Sequence, residues 1–339
     1  MFIVNSYALA VILCFVTMLC WGSWGNTQKL AAKSWRYELF YWDYVIGMVI
    51  FSLILAFTFG SIGSEGRPFL ADIAQASWAS IGWILLGAVV FNVSNILLSA
   101  SISIAGMSVA FPLGVGLALV VGVLNNILLH PKGDENLSLL FIGVALIVIA
   151  IVCNGIASGK VSTEVRDAGQ NRKGIILAVL AGLIMSFFSA LVYNGVDLAD
   201  FANPAAGKCT PYTAIVVFSI GVFLSNTVIN TIVMKKPFVG GPVSYSQYFR
   251  DGDAKTHIVG MLGGAIWCLG TALNYICAGK AGASVSYALG QGAPMIAAIW
   301  GVFIWKEFKG AGKGVPALLA VMFTFFIAGL ALIIVSGNV

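Results

Sequence analysis

The chain has 339 residues, 60% of them hydrophobic and only 9% charged, with 18 Lys and Arg against 13 Asp and Glu and a net charge of +5. Ordinary globular chains carry about 25% charged residues. This composition therefore excludes a soluble fold, a long disordered chain and a coiled coil, and leaves a polytopic membrane protein. The positive charge is no nucleic-acid signal, because the basic residues stand singly or in pairs between apolar runs.

A spanning helix needs about 20 mostly apolar residues. Taken in chain order, the apolar runs predict ten spans, at 7–28, 39–60, 79–101, 107–129, 137–157, 174–194, 213–234, 256–279, 283–305 and 315–336. The first run opens MFIVNSYALA, without a basic n-region, and reads as an uncleaved span rather than a signal peptide. The longest connections, 158–173, 195–212 and 235–255, are too short to be domains. The expected fold class is an all-α integral membrane protein with ten transmembrane helices. Lys and Arg set the orientation. Arg67, Lys132, Lys208 and Lys280 fall on the N-terminal side, and the other fourteen, including Lys29, Lys33, Arg36, Arg166 and Lys173, on the opposite side. That split predicts a multi-pass protein of the cell (inner) membrane with both termini outside. The 235–255 connection mixes aromatic and basic residues. It either lies along the cytoplasmic membrane surface or is a solvated connector.

A shift of 176 residues lays the third and fourth spans on the eighth and ninth. Ala-Gly-Met-Ser-Val at 105–109 meets Ala-Gly-Ala-Ser-Val at 281–285, and Leu113, Gly114 and Gly116 meet Leu289, Gly290 and Gly292. Nine identities fall within 87–116, where chance in so biased a composition gives roughly three. Five spans is an odd number, so the second copy enters the membrane in the opposite sense. The expectation is a five-plus-five inverted repeat: 1–160 as the first half, 161–173 as a cytoplasmic linker and 174–339 as the second half. Secondary transporters use this architecture for alternating access.

Catalytic and metal chemistry find little footing. The six cysteines form no CxxC pair, and the two histidines, His130 and His257, lie far apart. A zinc site, a cofactor and an enzymatic role are not expected.

Polar side chains inside the runs divide between helix–helix glue and a solute-binding lining. Asn92, Asn95 and Ser99 recur at helical spacing in the third span. The repeat sets Thr271 and Tyr275 opposite them in the eighth, with Trp267 and Asn274 adjacent, and Gln291 lies in the ninth. In the first span, CWGSWGNTQK places Trp21 and Trp24 either in an interfacial aromatic belt or in the wall of a pocket. This uncharged set of amides, hydroxyls and indoles suits a neutral polar solute, whether a planar ureide or nucleobase or a sugar. Pro112 and Pro294 mark expected kinks. Asp43 is the one carboxylate inside a run, about a turn in, and burying it needs a reason. One reason is proton coupling. The other is a salt bridge to Arg36 or Lys33.

Several stretches carry a resemblance. They are YWDYVIGMVIFSLILAFTFGSIG at 41–63, Asn-Val-Ser-Asn at 92–95, the 105–109 turn, GLALVVGVLNNILL at 116–129, Ser-Tyr-Ser-Gln-Tyr-Phe at 244–249 and 278–310. Together with the ten-span repeat they resemble the drug/metabolite transporter superfamily, and within it the ureide permease family and its neighbouring sugar-uptake branch. The resemblance implies import of a ureide, nucleobase or sugar, often with protons. A metabolite or drug exporter on the same fold is the alternative. Plant members carry a long loop with a nucleotide-binding-like motif between the halves. Here 158–173 is short and lacks GxxxxGK[ST], which leaves ATP use unsupported. The implied partners are a small neutral solute, protons and the bilayer, for a monomer or homodimer.

Overall fold

A computed structural model describes residues 1–31, 35–133, 135–161 and 168–337. The described chain holds ten helices long and apolar enough to cross a membrane, each within four residues of a predicted run. In a bilayer every backbone N–H and C=O must find an internal partner, and uninterrupted apolar runs meet that demand only as helices. In chain order they begin with α1 (Tyr7–Ala31), α2 (Tyr37–Phe57), the short α3 (Phe69–Gln75), α4 (Trp78–Ala105), α5 (Met107–Leu129) and α6 (Leu137–Val161). The sixth span is broken into α7 (Ala168–Met185) and α8 (Phe188–Tyr193). Then come α9 (Pro211–Lys235), the short α10 (Tyr245–Asp251) and α11 (Ala254–Ala281). The ninth span is α12 (Ala283–Gly290), α13 (Ala293–Ile299) and a π turn at Trp300–Ile304, and α14 (Gly314–Ser336) is the last.

Local chemistry sets the boundaries. Ser77, Thr210 and Asp253 cap α4, α9 and α11 by accepting from the backbone N–H three residues on, and Ser244 with Gln247 forms a capping box on α10. The turns α4–α5 and α11–α12 each hinge on one glycine. Gly106 has φ 82 and ψ 161, and Gly282 has φ 86 and ψ 153, a conformation that a side chain resists. The two expected kinks come out differently. α5 runs unbroken through Pro112, whereas the ninth span breaks at Gln291–Gly292, just before Pro294 at the start of α13.

The loops gather on two faces. On the N-terminal face Phe2 N–H donates to the Phe59 carbonyl (2.7 Å), Ser77 N–H to Gly207 (2.9 Å) and Asn136 N–H to Ser336 (2.8 Å). Asp72 is fully buried there and bonded to Arg67 Nε (2.9 Å) and Thr210 N–H (2.7 Å). On the opposite face, which carries most of the basic residues, Arg36 grips the buried Glu38 with two N–H groups and donates to the Gly241 carbonyl at 2.7 Å. Ser101 reaches the Gly174 carbonyl at 2.8 Å. The Gly106 turn lies on this basic face, beside Gly174, and the Gly282 turn on the N-terminal face, beside Lys132 and Glu135.

Within the spans α1 packs on α11 and α4 on α7. α2 packs on both α11 and α9, α4 on α9, α5 on α7, and α1 on α12 and α13. α6 and α14 pair with each other at the edge. Exchanging each span for the one five positions along leaves this pairing scheme unchanged. The closest approach is α2 against α11, where a Cβ on Gly47 or Gly264 would overlap the backbone of Met261 or Tyr44. Such small residues let membrane helices pack backbone to backbone where apolar burial alone supplies no drive.

Candidate functional site

A narrow cavity of ≈ 40 Å³ lies between α1, α4, α5, α7, α8, α11 and the ninth span. In this packing that is room for about three water molecules. Of the residues expected to bind solute, Trp21, Trp24, Asn95, Trp267 and Gln291 line it. The indoles of Trp21 and Trp267 stack at 6.3 Å with planes 15° apart. Thr271 fixes that arrangement from behind: it accepts from Trp21 Nε1 (3.1 Å) and donates to the Trp267 carbonyl (3.1 Å). Phe91 at 4.2 Å and Phe218 at 5.9 Å hold Trp267 from its far side. Asn95 donates to the Tyr41 hydroxyl at 3.1 Å, and Tyr44 packs on Trp24 at 5.2 Å. Gln291 sits beside the Tyr287 hydroxyl, at the break in the ninth span.

The remaining expected residues stand off the cavity. Asn92 donates to Ser225 on α9 at 2.9 Å. Asn274 accepts from Tyr193 (3.1 Å) and donates to the Ser286 carbonyl (2.8 Å), clamping α8, α11 and α12. Ser99 and Tyr275 are buried, with hydroxyls that find no partner among the described residues. Sequence reasoning missed the apolar wall of Phe91, Leu98, Phe111, Val115, Met185, Phe188 and Ala293. Apolar residues in an apolar chain carry no signal. It also missed Tyr41, which an amide-to-phenol bond makes part of the site.

Asp43 is 1% exposed and lies at the basic-face end of α2. Arg36 is not its partner, being taken by Glu38. Lys33 lies outside the described residues. Instead, Asp43 Oδ1 accepts from the Tyr248 hydroxyl (2.5 Å) and pairs with His257 Nδ1 (2.8 Å), while Oδ2 accepts from Trp35 Nε1 (3.1 Å). The Trp35 and Tyr248 rings enclose the imidazole, at 5.4 and 4.8 Å. Burial and the Asp43 carboxylate push the Tyr248 phenol well above its ordinary range, so it serves as a donor at any physiological pH. Asp43 thus joins α2, α10 and the first turn of α11. His257 is 214 residues away and at a span edge, so nothing in its sequence position announces the pairing.

Two seams close the ends of the spans around the cavity. On the basic face, Trp300 Nε1 donates to Ser23 Oγ (2.9 Å) and Trp305 Nε1 to Asn26 Oδ1 (2.7 Å), and Lys29 is ion-paired with Glu307. On the N-terminal face, Asn125 Nδ2 donates to the Ser186 carbonyl (3.1 Å) and Asn126 Nδ2 to Ser189 Oγ (3.2 Å), and His130 Nε2 lies 2.9 Å from the Ala190 carbonyl. Burial holds His130 below the usual histidine range; Lys208 adds to the effect and the Ala190 carbonyl opposes it. Cys209, the one loop cysteine, is buried, and its thiol is pushed up to about 12 by burial, with Asp72 adding. It is no activated nucleophile.

Comparison with known proteins agrees with this picture. A solved crystal structure superposes with a TM-score of 0.60 over 96% of each chain at 14% identity, a likeness of fold. Ureide permease 2 of Arabidopsis thaliana is 25% identical across the whole of this chain and 99% of its own length. Ureide permeases 4 and 1 of the same plant are each 22% identical over the same shares. The ureide permease family model matches residues 40–171 and 159–336, which between them hold Asp43, Asn95, Trp267 and Gln291. With the α-helical membrane fold and nearly all of both chains aligned, the protein belongs to the ureide permease family.

Proposed function

We propose that this protein is a secondary transporter that carries a ureide across the cell membrane by alternating access, driven by protons. The observation that carries the reading is the cavity wall. Fixed aromatic rings and the Asn95 and Gln291 amides line one cavity, and these are the groups that pack on and hydrogen-bond a planar –NH–CO–NH– solute. A neutral solute needs no buried counter-charge, and the wall contains none.

Two features support an inverted pair of five-span halves, 1–160 and 174–339. One is the exchange symmetry of the helix pairing. The other is the pair of glycine turns, 176 residues apart, alike in conformation and on opposite faces. The fourteen-to-four distribution of Lys and Arg supports termini outside, which makes the basic face cytoplasmic; an inward proton gradient then makes the proposed direction import.

Asp43 with His257 is the proposed proton-binding pair. The groups facing them are Tyr248 of α10 and Trp35, with Asp253 and Lys255 near His257. The pair ties α11, which carries Trp267, to α2, which carries Tyr41 and Tyr44, so a change in its charge acts on both walls of the cavity.

Proteoliposome uptake of allantoin under an imposed pH gradient tests the function. Accumulation that a protonophore abolishes is expected. Asn95→Ala and Gln291→Ala should each lower uptake at least about tenfold, because a site built to hydrogen-bond its ligand is left with unpaired groups. Uptake of sugars but not of allantoin overturns the substrate. Uptake indifferent to pH and protonophore overturns the coupling. His257→Asn keeps a donor near the Nδ1 position yet cannot titrate. It should retain allantoin exchange between loaded vesicles and lose uphill accumulation, as should Asp43→Asn.

A further inference from the structure

The connection between α9 and α11 carries a helix, α10, whose two faces differ. Its inner face is tied to the spans. The Tyr248 hydroxyl donates to Asp43 at 2.5 Å, and its ring packs on His257 at 4.8 Å. The Tyr245 ring lies 5.6 Å from that of Trp42, and its hydroxyl is bonded to Thr231, about one turn before the end of α9. The Ser244–Gln247 capping box fixes the start of the helix. Arg36 and Lys173 hold the chain before it by the carbonyls of Val239, Gly241 and Phe238. Successive helical residues are turned by about 100°, so with Tyr248 held inward Phe249 is turned out. It is 79% exposed.

These contacts also fix the depth of α10. α2 has 21 residues, about 32 Å, and just crosses a hydrocarbon core of about 30 Å. Asp43 lies about 9 Å along it from Tyr37. A helix bonded to Asp43 and to Thr231 therefore lies beside the span ends, where headgroups meet acyl chains, and not above them in water. Exposed apolar residues flank it on the same ends: Ile232 (58%) in the last turn of α9 and Ile258 (60%) one turn into α11.

Cations collect along this edge. Lys235, Lys236 and Lys255 are exposed, and none makes an ion pair with a described residue. Of the acids beside them, Asp251 is paired with Arg250 at 2.9 Å, and Asp253 caps α11 with Lys255 near it. The edge is positive in balance. An outward aromatic ring among lysines at headgroup level is complementary to an anionic lipid, whose acyl chains take the ring and whose headgroup takes the ammonium groups.

We infer that α10 and the lysines beside it bind an anionic phospholipid of the leaflet at the basic face, with Phe249 seated among the acyl chains. A solvated connector would instead leave that ring in water on a helix that is otherwise tied down. This surface takes lipid whatever solute the cavity carries, so it stands apart from the ureide reading.

Phe249→Trp in the full-length chain tests this, reconstituted into phosphatidylcholine vesicles that contain phosphatidylglycerol. Bromine on the acyl chains, which quenches indole emission on contact, is carried by one lipid or by the other. The emission of the unsubstituted protein in the same vesicles is subtracted. Both lipids should quench the added indole, and at equal mole fraction brominated phosphatidylglycerol should quench it more. Lys235→Ser with Lys236→Ser in that background should remove most of this preference, at about fivefold per charge, and so should high salt. Equal quenching by the two lipids overturns the recognition of anionic headgroups. Emission typical of an indole in water, quenched by neither lipid, makes 235–255 a solvated connector and overturns the inference. A buried indole quenched by neither places a protein surface there, a second copy of this chain included, and overturns it as well. A second measurement serves where Phe249→Trp fails to fold. In detergent, added phosphatidylglycerol should raise the thermal midpoint of the unsubstituted protein more than phosphatidylcholine does, and the paired lysine substitutions should abolish the difference. Equal shifts from the two lipids overturn headgroup recognition as equal quenching does.

Discussion

The two seams use the same number of cross-links but opposite chemistry. The basic-face seam joins α1 to the end of the ninth span through two indole N–H groups and an ion pair whose side chains are 38% and 44% exposed. The N-terminal seam joins α5 to the broken sixth span through neutral amides and a histidine, with Asn126 and Ser189 fully buried, and Asn274 and Tyr193 clamp the same end. An exposed ion pair contributes about 0–1 kcal/mol and is screened by salt. A buried amide hydrogen bond such as that of Asn126 Nδ2 to Ser189 costs more to break, because its partners are left without water. The basic-face seam is therefore the easier one to part. Under the proposed orientation the resting protein releases inward more readily than it opens outward.

The sharpest way to break this contrast is at Asn274. Asn274→Ala strands the Tyr193 hydroxyl and the Ser286 carbonyl together. It should lower stability by about 2–4 kcal/mol, read as a drop in thermal midpoint in detergent. A midpoint within error of the unsubstituted protein would show the dry clamp to be idle. A smaller effect is expected from pH at His130. Its native titration lies below the ordinary histidine range, so the closed seam favours the neutral ring. That contribution is complete above about pH 7 and declines as pH falls through and below about 6.5, where the released ring takes up a proton first. Normalised to the thiolate fraction at each pH, a thiol placed at the N-terminal end of α8 should become more reactive to an impermeant reagent on acidification, and His130→Gln should flatten the response. The smallest effect belongs to Glu307→Gln. Thermal stability should move by less than about 1 kcal/mol, while release from the basic face speeds up and loses its dependence on ionic strength. A stability loss as large as that of Asn274→Ala would erase the distinction between the seams.

The spans were legible in the sequence because apolar run length alone decides them. The interruptions were not. The sixth span breaks at Ser186–Phe187 with neither proline nor glycine at the break, where tertiary packing overrides propensity, while Pro112 marks no break at all. Within the cavity, Trp21, Trp24, Asn95, Trp267 and Gln291 could be picked out because indoles and amides are rare enough in such a chain to be conspicuous. The same rule pointed at Asn92 and Asn274, which bind neighbouring helices, because sequence does not reveal which way an amide turns on its helix. Phe111 and Phe188 were invisible for the opposite reason, being two among 22 phenylalanines. Asp43 drew notice as the one carboxylate inside an apolar run. Its partners required three-dimensional proximity between α2, α10 and α11.

The peripheral pair α6 and α14 bears on how the protein senses its host membrane. The two helices meet closely where Gly143 and Gly329 each face the other's carbonyl, and their outer faces carry exposed residues such as Ile149, Val152, Val321 and Ile327. At 25 and 23 residues they are about 38 and 35 Å long, against a hydrocarbon core of about 30 Å. The excess is met by tilt, by reaching into the headgroup region or by local thickening of the bilayer, and α5 and α12 pack against them. A change in acyl-chain length is therefore expected to act on the bundle first through this pair.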